Sequence, residues 1–245
     1  MKTVVISGAD RNIGLEIAKQ FLERGWRVFA GRFLMELPLL DQLKEKYPDT
    51  LGIIPMDVSS DESVRLAAEW VAAEADVVDM LVHNAAGFGA QGGQKIDYAT
   101  FVTPYNINAL GAMRLVNRFL PLMRDSDLKR LCFVSSEAGV VSVAHRTEVS
   151  SYCMSKTALN MAVRLMFNQL QPMGYTFRLF HPGWVRSARI ERLDDPMPTF
   201  EVDGKLTGKF WPWEAAASAA EQFIEDRDWE DRLVLIDNEG AAWPF

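Results

Sequence analysis

Thr3-Val4-Val5-Ile6-Ser7-Gly8-Ala9-Asp10-Arg11-Asn12-Ile13-Gly14 is the stretch on which the fold turns. A short apolar, β-branched run enters a glycine turn at once. Beyond the turn, Ile13, Ile17, Ala18 and Phe21 recur at helical spacing, which predicts a helix over 12–24. A strand that feeds a helix through a tight turn is the opening unit of a parallel α/β sheet. Glycine there lets the backbone bend sharply and approach a pyrophosphate, which then rests on the helix N-terminus. The generic G-x-G-x-x-G spacing is absent. Gly8 and Gly14 are in place, and Asn12 stands between them, a residue that tolerates positive φ better than most.

Outward from this unit the alternation continues. Strand-like runs fall at 26–30, 51–56, 77–83, 130–135, 176–181 and 233–236, and helix-period stretches at 37–46, 62–73, 103–124, 150–173 and 213–225. The strands are short and nearly all apolar, as in a sheet covered on both faces. The expected fold is therefore α/β, a Rossmann-type, doubly wound parallel sheet with helices on both faces, forming one domain over 1–245. The one irregular stretch, 187–212, is rich in Pro, Gly and charge, and its length marks it as a substrate loop or lid.

Composition removes several classes of function. The 245 residues carry a formal net charge of −7, and Lys and Arg are scattered without a basic run, so no nucleic-acid partner is expected. No apolar run reaches the roughly 18 residues that span a bilayer, and the first residues lack the layout of a signal peptide. The two cysteines, Cys132 and Cys153, suggest no disulfide framework, which points to a cytoplasmic protein. His83, His145 and His181 are too scattered for a metal site.

The chemistry is expected at Tyr152-Cys153-Met154-Ser155-Lys156, which opens a long helix, and at Ser135-Ser136, which ends the strand before it. Tyr152 and Lys156, four apart, share a helix face and reach the same space. A free phenol has a pKa near 10 and is a poor acid–base group at neutral pH; a nearby ammonium favours the phenolate and is expected to bring it down. A serine hydroxyl here can donate to a substrate oxygen as negative charge develops on it. Ser136, the second of the pair, is preferred to Ser135.

These motifs together resemble the short-chain dehydrogenase/reductase family over nearly the whole chain. Ser7-Gly8 through Gly14 resembles its T-G-x-x-x-G-x-G turn, with Asn12 where the middle glycine stands, so Gly8, Asp10, Arg11, Asn12, Ile13 and Gly14 are expected against the cofactor. His83-Asn84-Ala85-Ala86-Gly87 is similar to its N-N-A-G motif, which implies that Asn84, Ala85 and Ala86 line the adenosine. Asn108-Ala109-Leu110-Gly111 matches N-x-x-G, and the resemblance implies that Asn108 distorts its helix and holds a water that relays protons to the lysine. Ser136, Tyr152 and Lys156 fill the places of the catalytic Ser-Tyr-Lys, with Tyr152 and Lys156 also holding the cofactor. Pro182, Gly183, Val185 and Ser187 follow its P-G-x-x-x-T on the nicotinamide side. The stretch from Ser136 to Tyr152 is a few residues longer than the commonest form. His181-Pro182-Gly183-Trp184-Val185 and the ending Trp243-Pro244-Phe245 resemble the sniffer-like carbonyl reductases of the family. His181 itself reads as a structural histidine.

The second strand leads into Gly31-Arg32 where members that prefer NAD(H) carry an acid for the ribose 2′-hydroxyl. An arginine binds a 2′-phosphate bidentately, so Arg32, with Arg11, favours NADP(H) over NAD(H). Asp57 and Val58 resemble the family's adenine contacts. The resemblance implies hydride transfer between the nicotinamide and a carbonyl or alcohol, and a homo-oligomer, dimer or tetramer. A dinucleotide-binding sensor without catalysis is the main alternative; a sugar-nucleotide epimerase is a weaker one, since it usually carries glycine at the place of Arg11. Phe88, Val143, His145, Trp184, Trp211 and Trp213 are candidates to line the substrate pocket.

Overall fold

A computed structural model describes residues 1–89, 97–185, 224 and 230–245, together with the backbone of 200–202, 205–207 and 210–211. Along the chain run β1 (Thr3–Ser7), α1 (Asn12–Glu23), β2 (Arg27–Arg32), α2 (Leu39–Lys46), β3 (Leu51–Pro55), α3 (Asp61–Glu74) and β4 (Met80–His83). After them come α4 (Ala99–Tyr105), α5 (Gly111–Met123), β5 (Arg130–Val134), α6 (Ser150–Leu170), β6 (Thr176–His181) and β7 (Trp184–Val185). The short strands β8 (Phe200–Val202), β9 (Lys205–Thr207), β10 (Phe210–Trp211), β11 (Leu235–Asp237) and β12 (Ala242–Trp243) complete the described elements.

The main sheet has the order β12-β11-β6-β5-β4-β1-β2-β3. Every pairing in it is parallel except β11 with β12. The chain winds outward from β1 to β3, returns to β4 on the other side of β1, and winds outward again. Strand order thus reverses between β1 and β4, and ligands of such sheets bind in the crevice beyond the strand ends there.

The period of two along each strand builds the two cores. Val5, Leu81, Leu131, Phe133, Phe177 and Leu179 point to the face covered by α3, α5 and α6. Val4, Ile6, Met80, Val82, Cys132 and Phe180 point to the face covered by α1 and α2. On α1 the buried residues Gly14, Ile17, Ala18 and Phe21 form the stripe that lies on the sheet. Helix α3 begins at Ser60, whose hydroxyl accepts from the Ser63 N–H, with Asp61 and Glu62 in the first turn where the helix dipole favours acids.

Four departures from the sequence reading matter. The helix expected over 103–124 is two helices, α4 and α5, joined by a π turn at Asn106–Leu110. Pro104 has no N–H to offer a regular ladder, and the Asn108 side chain is drawn off to Gly87. The helix expected to reach 173 ends at Leu170 in a tight turn over Gln171–Met173, closed by Gly174 at φ 85°. A closing antiparallel strand, β12, was not expected; Asp237 organises the turn into it by accepting from the backbone of Glu239 and Ala241 and from Trp243 Nε1. The apolar rule for strands also fails at Arg130 and Arg178, both fully buried. The expected helix at 213–225 lies outside the described residues except for Ile224, and so does the expected lid except for β8, β9 and β10, of which β8 and β9 pair antiparallel and β10 pairs with β7.

Candidate functional site

The glycine turn is held by sheet ends on both sides. Gly8 lies at φ 63°, and a Cβ there would stand 2.8 Å from Ala85 Cα, so only glycine lets the turn after β1 touch the end of β4. A Cβ on Gly14 would meet the Gly8 carbonyl oxygen at 2.2 Å. Asn12 adopts φ 49°, the left-handed backbone that glycine takes easily and asparagine tolerates. Asn84 donates from Nδ2 to the Gly8 carbonyl at 2.8 Å. The Ser7 hydroxyl accepts from the N–H groups of Asn84 and Ala85.

His83 joins this turn to the π turn. Its Nε2 faces the Asn108 carbonyl oxygen at 3.2 Å and its Nδ1 faces Ser7 Oγ at 3.3 Å. A carbonyl only accepts, so Nε2 carries the proton and Nδ1 accepts from Ser7. Burial, helped by the charge of Lys156, pushes the imidazole down to about 3, so it stays neutral. The Asn108 side chain is fully engaged: its Oδ1 accepts from Gly87 N, and its Nδ2 donates to the Gly87 carbonyl and to Ser155 Oγ, each at 2.8 Å. Gly111 lets Val58 close on the helix after the π turn, since a Cβ there would stand 2.9 Å from Val58 Cγ2.

Other residues expected at the cofactor are spread along the same crevice. The Asp10 carboxylate accepts from the backbone N–H groups of Phe33 and Leu34, which ties the glycine turn to the loop after β2. Arg11 precedes α1 in extended backbone and is half-buried, while Ile13 packs on the α1–α2 face. The Asp57 carboxylate accepts from the backbone and hydroxyl of Ser59, and Val58 is buried beside it. Ala86 is exposed beyond β4. Gly183 turns at φ 74° before Val185 in β7. Pro182 lies between His181 and Gly183, and Ser187 is outside the described residues.

Arg32 is where the sequence reading changes most. No acid was expected near it, yet α2 brings Asp41 to 2.8 Å from its Nη2. Its Nε is buried without a hydrogen-bond partner. A buried guanidinium with an open donor fits an anionic group at the end of β2. The glycine turn and this arginine together fit a phosphorylated dinucleotide.

The two serines after β5 separate cleanly. Ser135 donates to Asn160 Oδ1 at 2.5 Å, away from the tyrosine. Ser136 donates to Glu137 Oε2 at 2.7 Å, and its hydroxyl favours the ionised form of Tyr152. Tyr152 and Lys156 are both buried on α6. Lys156 donates to the Val134 carbonyl at 2.8 Å, and its Nζ lies 5.7 Å from the Tyr152 ring centroid. Burial brings the lysine down to about 7. The expected lowering of the phenol is not met in this geometry. Burial pushes Tyr152 up and outweighs the opposing hydrogen bond with Ser136. Tyr152 therefore holds its proton at neutral pH. Phe88 stacks on its ring, centroids 4.6 Å apart.

Two residues that the sequence reading passed over complete the cluster. Glu137 follows the serine pair directly and is buried in an ion pair with Arg146 from the long loop before α6. The Arg146 guanidinium lies 4.2 Å from the centroid of the Trp184 ring. His181 is buried between Glu137, the Gly183 N–H and the Trp243 ring, which is a structural placement. His145 is mostly turned outward, and Val143 is partly exposed. A carboxyl residue inside an otherwise small and apolar Ser-Ser-Glu-Ala-Gly stretch was the available signal for Glu137. Among the described residues no group of three His, Cys, Asp or Glu is placed to hold a metal ion, and no helix is long and apolar enough to cross a membrane.

Comparison with known proteins gives this geometry its context. The model of the short chain dehydrogenase family matches residues 2–197. The chain is 33% identical to an uncharacterized oxidoreductase of Schizosaccharomyces pombe over 194 residues, 78% of this chain and 77% of that one. It is 43% identical over 115 residues to the C-signal of Myxococcus xanthus, 45% of this chain and 67% of that one. A carbonyl reductase from Pseudomonas aeruginosa, solved in complex with NADP, has a TM-score of 0.80 at 25% identity, with both chains covered in full.

Proposed function

The chain belongs to the short-chain dehydrogenase family, and from that premise we propose that it is an NADP(H)-dependent oxidoreductase that interconverts a carbonyl and an alcohol. The observation that carries the reading is the convergence of Ser136, Tyr152 and Lys156 at the ends of β5 and α6. The bound dinucleotide supplies the hydride, donor or acceptor according to direction. Tyr152 gives its proton to the substrate oxygen as that oxygen gains negative charge. Ser136 donates a hydrogen bond to the same oxygen and orients it. Lys156, near its titration point, favours loss of the tyrosine proton when charged and holds the ribose side of the cofactor. Asn108 fixes the π turn and, through it, the wall behind Lys156. Arg32 with Arg11 supports a 2′-phosphate and so NADP(H) over NAD(H); Asp41 is the acid it must share. Gly8, Asn12, Gly14, Asp57, Val58, Asn84, Ala85, Pro182, Gly183, Val185 and Ser187 are proposed to line the rest of that cofactor. The substrate is a small carbonyl compound or alcohol that enters beside Phe88 and Trp184.

Exposed Met113, Met154, Met161 and Leu165 on α5 and α6 support pairing of copies into a dimer or tetramer. The free cysteines Cys132 and Cys153 support a cytoplasmic location. The relative named C-signal favours one second reading, a dinucleotide-binding protein that signals without turnover.

Titration with NADPH and with NADH, followed by nicotinamide fluorescence, is expected to show NADPH bound at least about tenfold more tightly through its extra phosphate contacts. Tyr152→Phe is expected to keep that binding and to lose roughly 10²–10⁴-fold in carbonyl reduction. Tight binding with no turnover of any carbonyl by the wild-type protein favours the signalling reading. Turnover by Tyr152→Phe at the wild-type rate refutes the mechanism.

A further inference from the structure

A serine hydroxyl has one hydrogen to donate and two places to accept. In this protein the Ser136 hydrogen is already committed. It is donated to Glu137 Oε2 at 2.7 Å, while Ser136 Oγ accepts from Ala138 N at 3.1 Å. A hydrogen bond to a carboxylate is stronger than one to a neutral carbonyl. A serine held in this way does not polarise a substrate carbonyl until its hydroxyl turns.

The surroundings make that turn affordable. Glu137 is only 5% exposed and is held by groups from separate parts of the chain. Arg146, from the loop before α6, is ion-paired with it. His181, at the end of β6, stands with Nε2 3.5 Å from Glu137 Oε2. His181 Nδ1 accepts from the Gly183 N–H, so the ring proton sits on Nε2 and points at the carboxylate. Burial lowers the imidazole, which leaves it neutral at neutral pH. Its grip on Glu137 is then that of an N–H dipole, and Arg146 supplies the full charge. Burial works to raise the Glu137 carboxyl, but His181, Arg146 and the hydrogen bond from Ser136 outweigh it and hold the group ionised.

We propose that Glu137 is a positioning residue of the reaction: it holds the Ser136 hydrogen while the site waits and releases it as negative charge grows on the substrate oxygen, while Arg146 and His181 keep the carboxylate satisfied. No proton changes owner in this step; the serine O–H rotates from one acceptor to another. The proposal rests on the oxidoreductase reading given above. It makes the Glu137–Arg146 pair a regulator of Tyr152 as well. The groups facing Tyr152 are Ser136 and Glu137 from the end of β5, Arg146 from the loop, and Cys153 and Lys156 from its own helix; His181 acts on it through Glu137. Glu137 opposes ionisation of the phenol and Arg146 favours it, so the two act with opposite sign.

The test is the pH dependence of kcat for NADPH-driven reduction of phenanthrenequinone, with Tyr152→Phe run in parallel. Reduction needs the protonated phenol and the charged Lys156, so its rate falls on the alkaline side. Glu137→Gln is expected to move that limb down by about one pH unit, and Arg146→Met to move it up by a similar amount. The double variant, which leaves no unpaired buried charge, is expected to fold if a single one does not and to return the limb close to the wild-type position. Glu137→Asp, which keeps the charge, is expected to restore the limb. Limbs that stay fixed, or move the same way in both single variants, overturn the proposal and leave the oxidoreductase reading intact. Absence of wild-type turnover, or full turnover by Tyr152→Phe, overturns that reading and the proposal with it.

Discussion

The neighbouring strands β5 and β6 carry a buried arginine–glutamate cluster at each end, and the two clusters differ in what they hold. At the far end from the crevice, Arg130 and Arg178 lie fully buried and both reach Glu230. Arg130 also donates to the Ile224 carbonyl, so this cluster ties the last part of the chain to the sheet. At the crevice end, Glu137 and Arg146 hold a serine hydroxyl and an imidazole, beside a buried tyrosine. The first cluster joins arginine side chains of the sheet to the Glu230 carboxylate and the Ile224 carbonyl. The second is built around groups whose hydrogens have somewhere else to go. Similar chemistry serves architecture in one place and is proposed to serve reactivity in the other: the Thr176 hydroxyl accepts from Arg130 Nε, whereas the Ser136 hydroxyl donates its hydrogen to the carboxylate of its cluster.

Substitutions on the two sides separate these roles. Arg130→Met, which removes a buried donor from Ile224 and Glu230, is expected to cost about 3–5 kcal/mol in chemical denaturation. The folded fraction of that variant is expected to keep its kcat, since no part of the cluster faces Tyr152; a kcat loss that outruns unfolding breaks the comparison. Ser136→Ala is expected to lower kcat by roughly 10²–10³-fold with little change in unfolding midpoint, as for loss of a donor to a developing oxyanion. Ser135→Ala sharpens the contrast from one residue away. It leaves Asn160 Oδ1 short of a donor, with an expected cost of about 1–3 kcal/mol in stability and kcat largely kept. If the two serine variants exchange phenotypes, the catalytic serine has been assigned to the wrong member of the pair.

What the sequence discloses and what it conceals follow from range. The glycine turn, the alternating strands and the Tyr152–Lys156 pair depend on neighbours within a turn or two, so periodicity and spacing reveal them. The distortion at Asn108 is implied by the family resemblance, but its form, a π turn, does not show in the periodicity, because Asn108 is bonded to Gly87 beyond β4. Glu137 reads as an ordinary charged residue until the fold brings Arg146 and His181 to it. Arg32 looks unopposed in a linear reading, and Asp41 becomes its partner only when α2 packs against the sheet. Strand β12 spans only two residues, too few for any period to show. The preference for Ser136 over Ser135 has no local signature, because Ser135 turns to Asn160 and Ser136 to Glu137, a matter of orientation that composition does not carry.

The burial of Lys156 makes acidity a burden on folding itself. Its folded-state pKa of about 7 lies below the model-compound value of 10.5. Between those values the unfolded chain binds a proton that the folded chain declines, so folding releases it and stability rises with pH across that window. Below about 7 the folded chain must carry the ammonium inside and the penalty is present in full. The amine proposed to serve turnover thus weighs against the native state. Melting temperature in the wild-type protein is expected to climb from near neutral pH toward 10 relative to Lys156→Met, in which the same interval contributes no such slope.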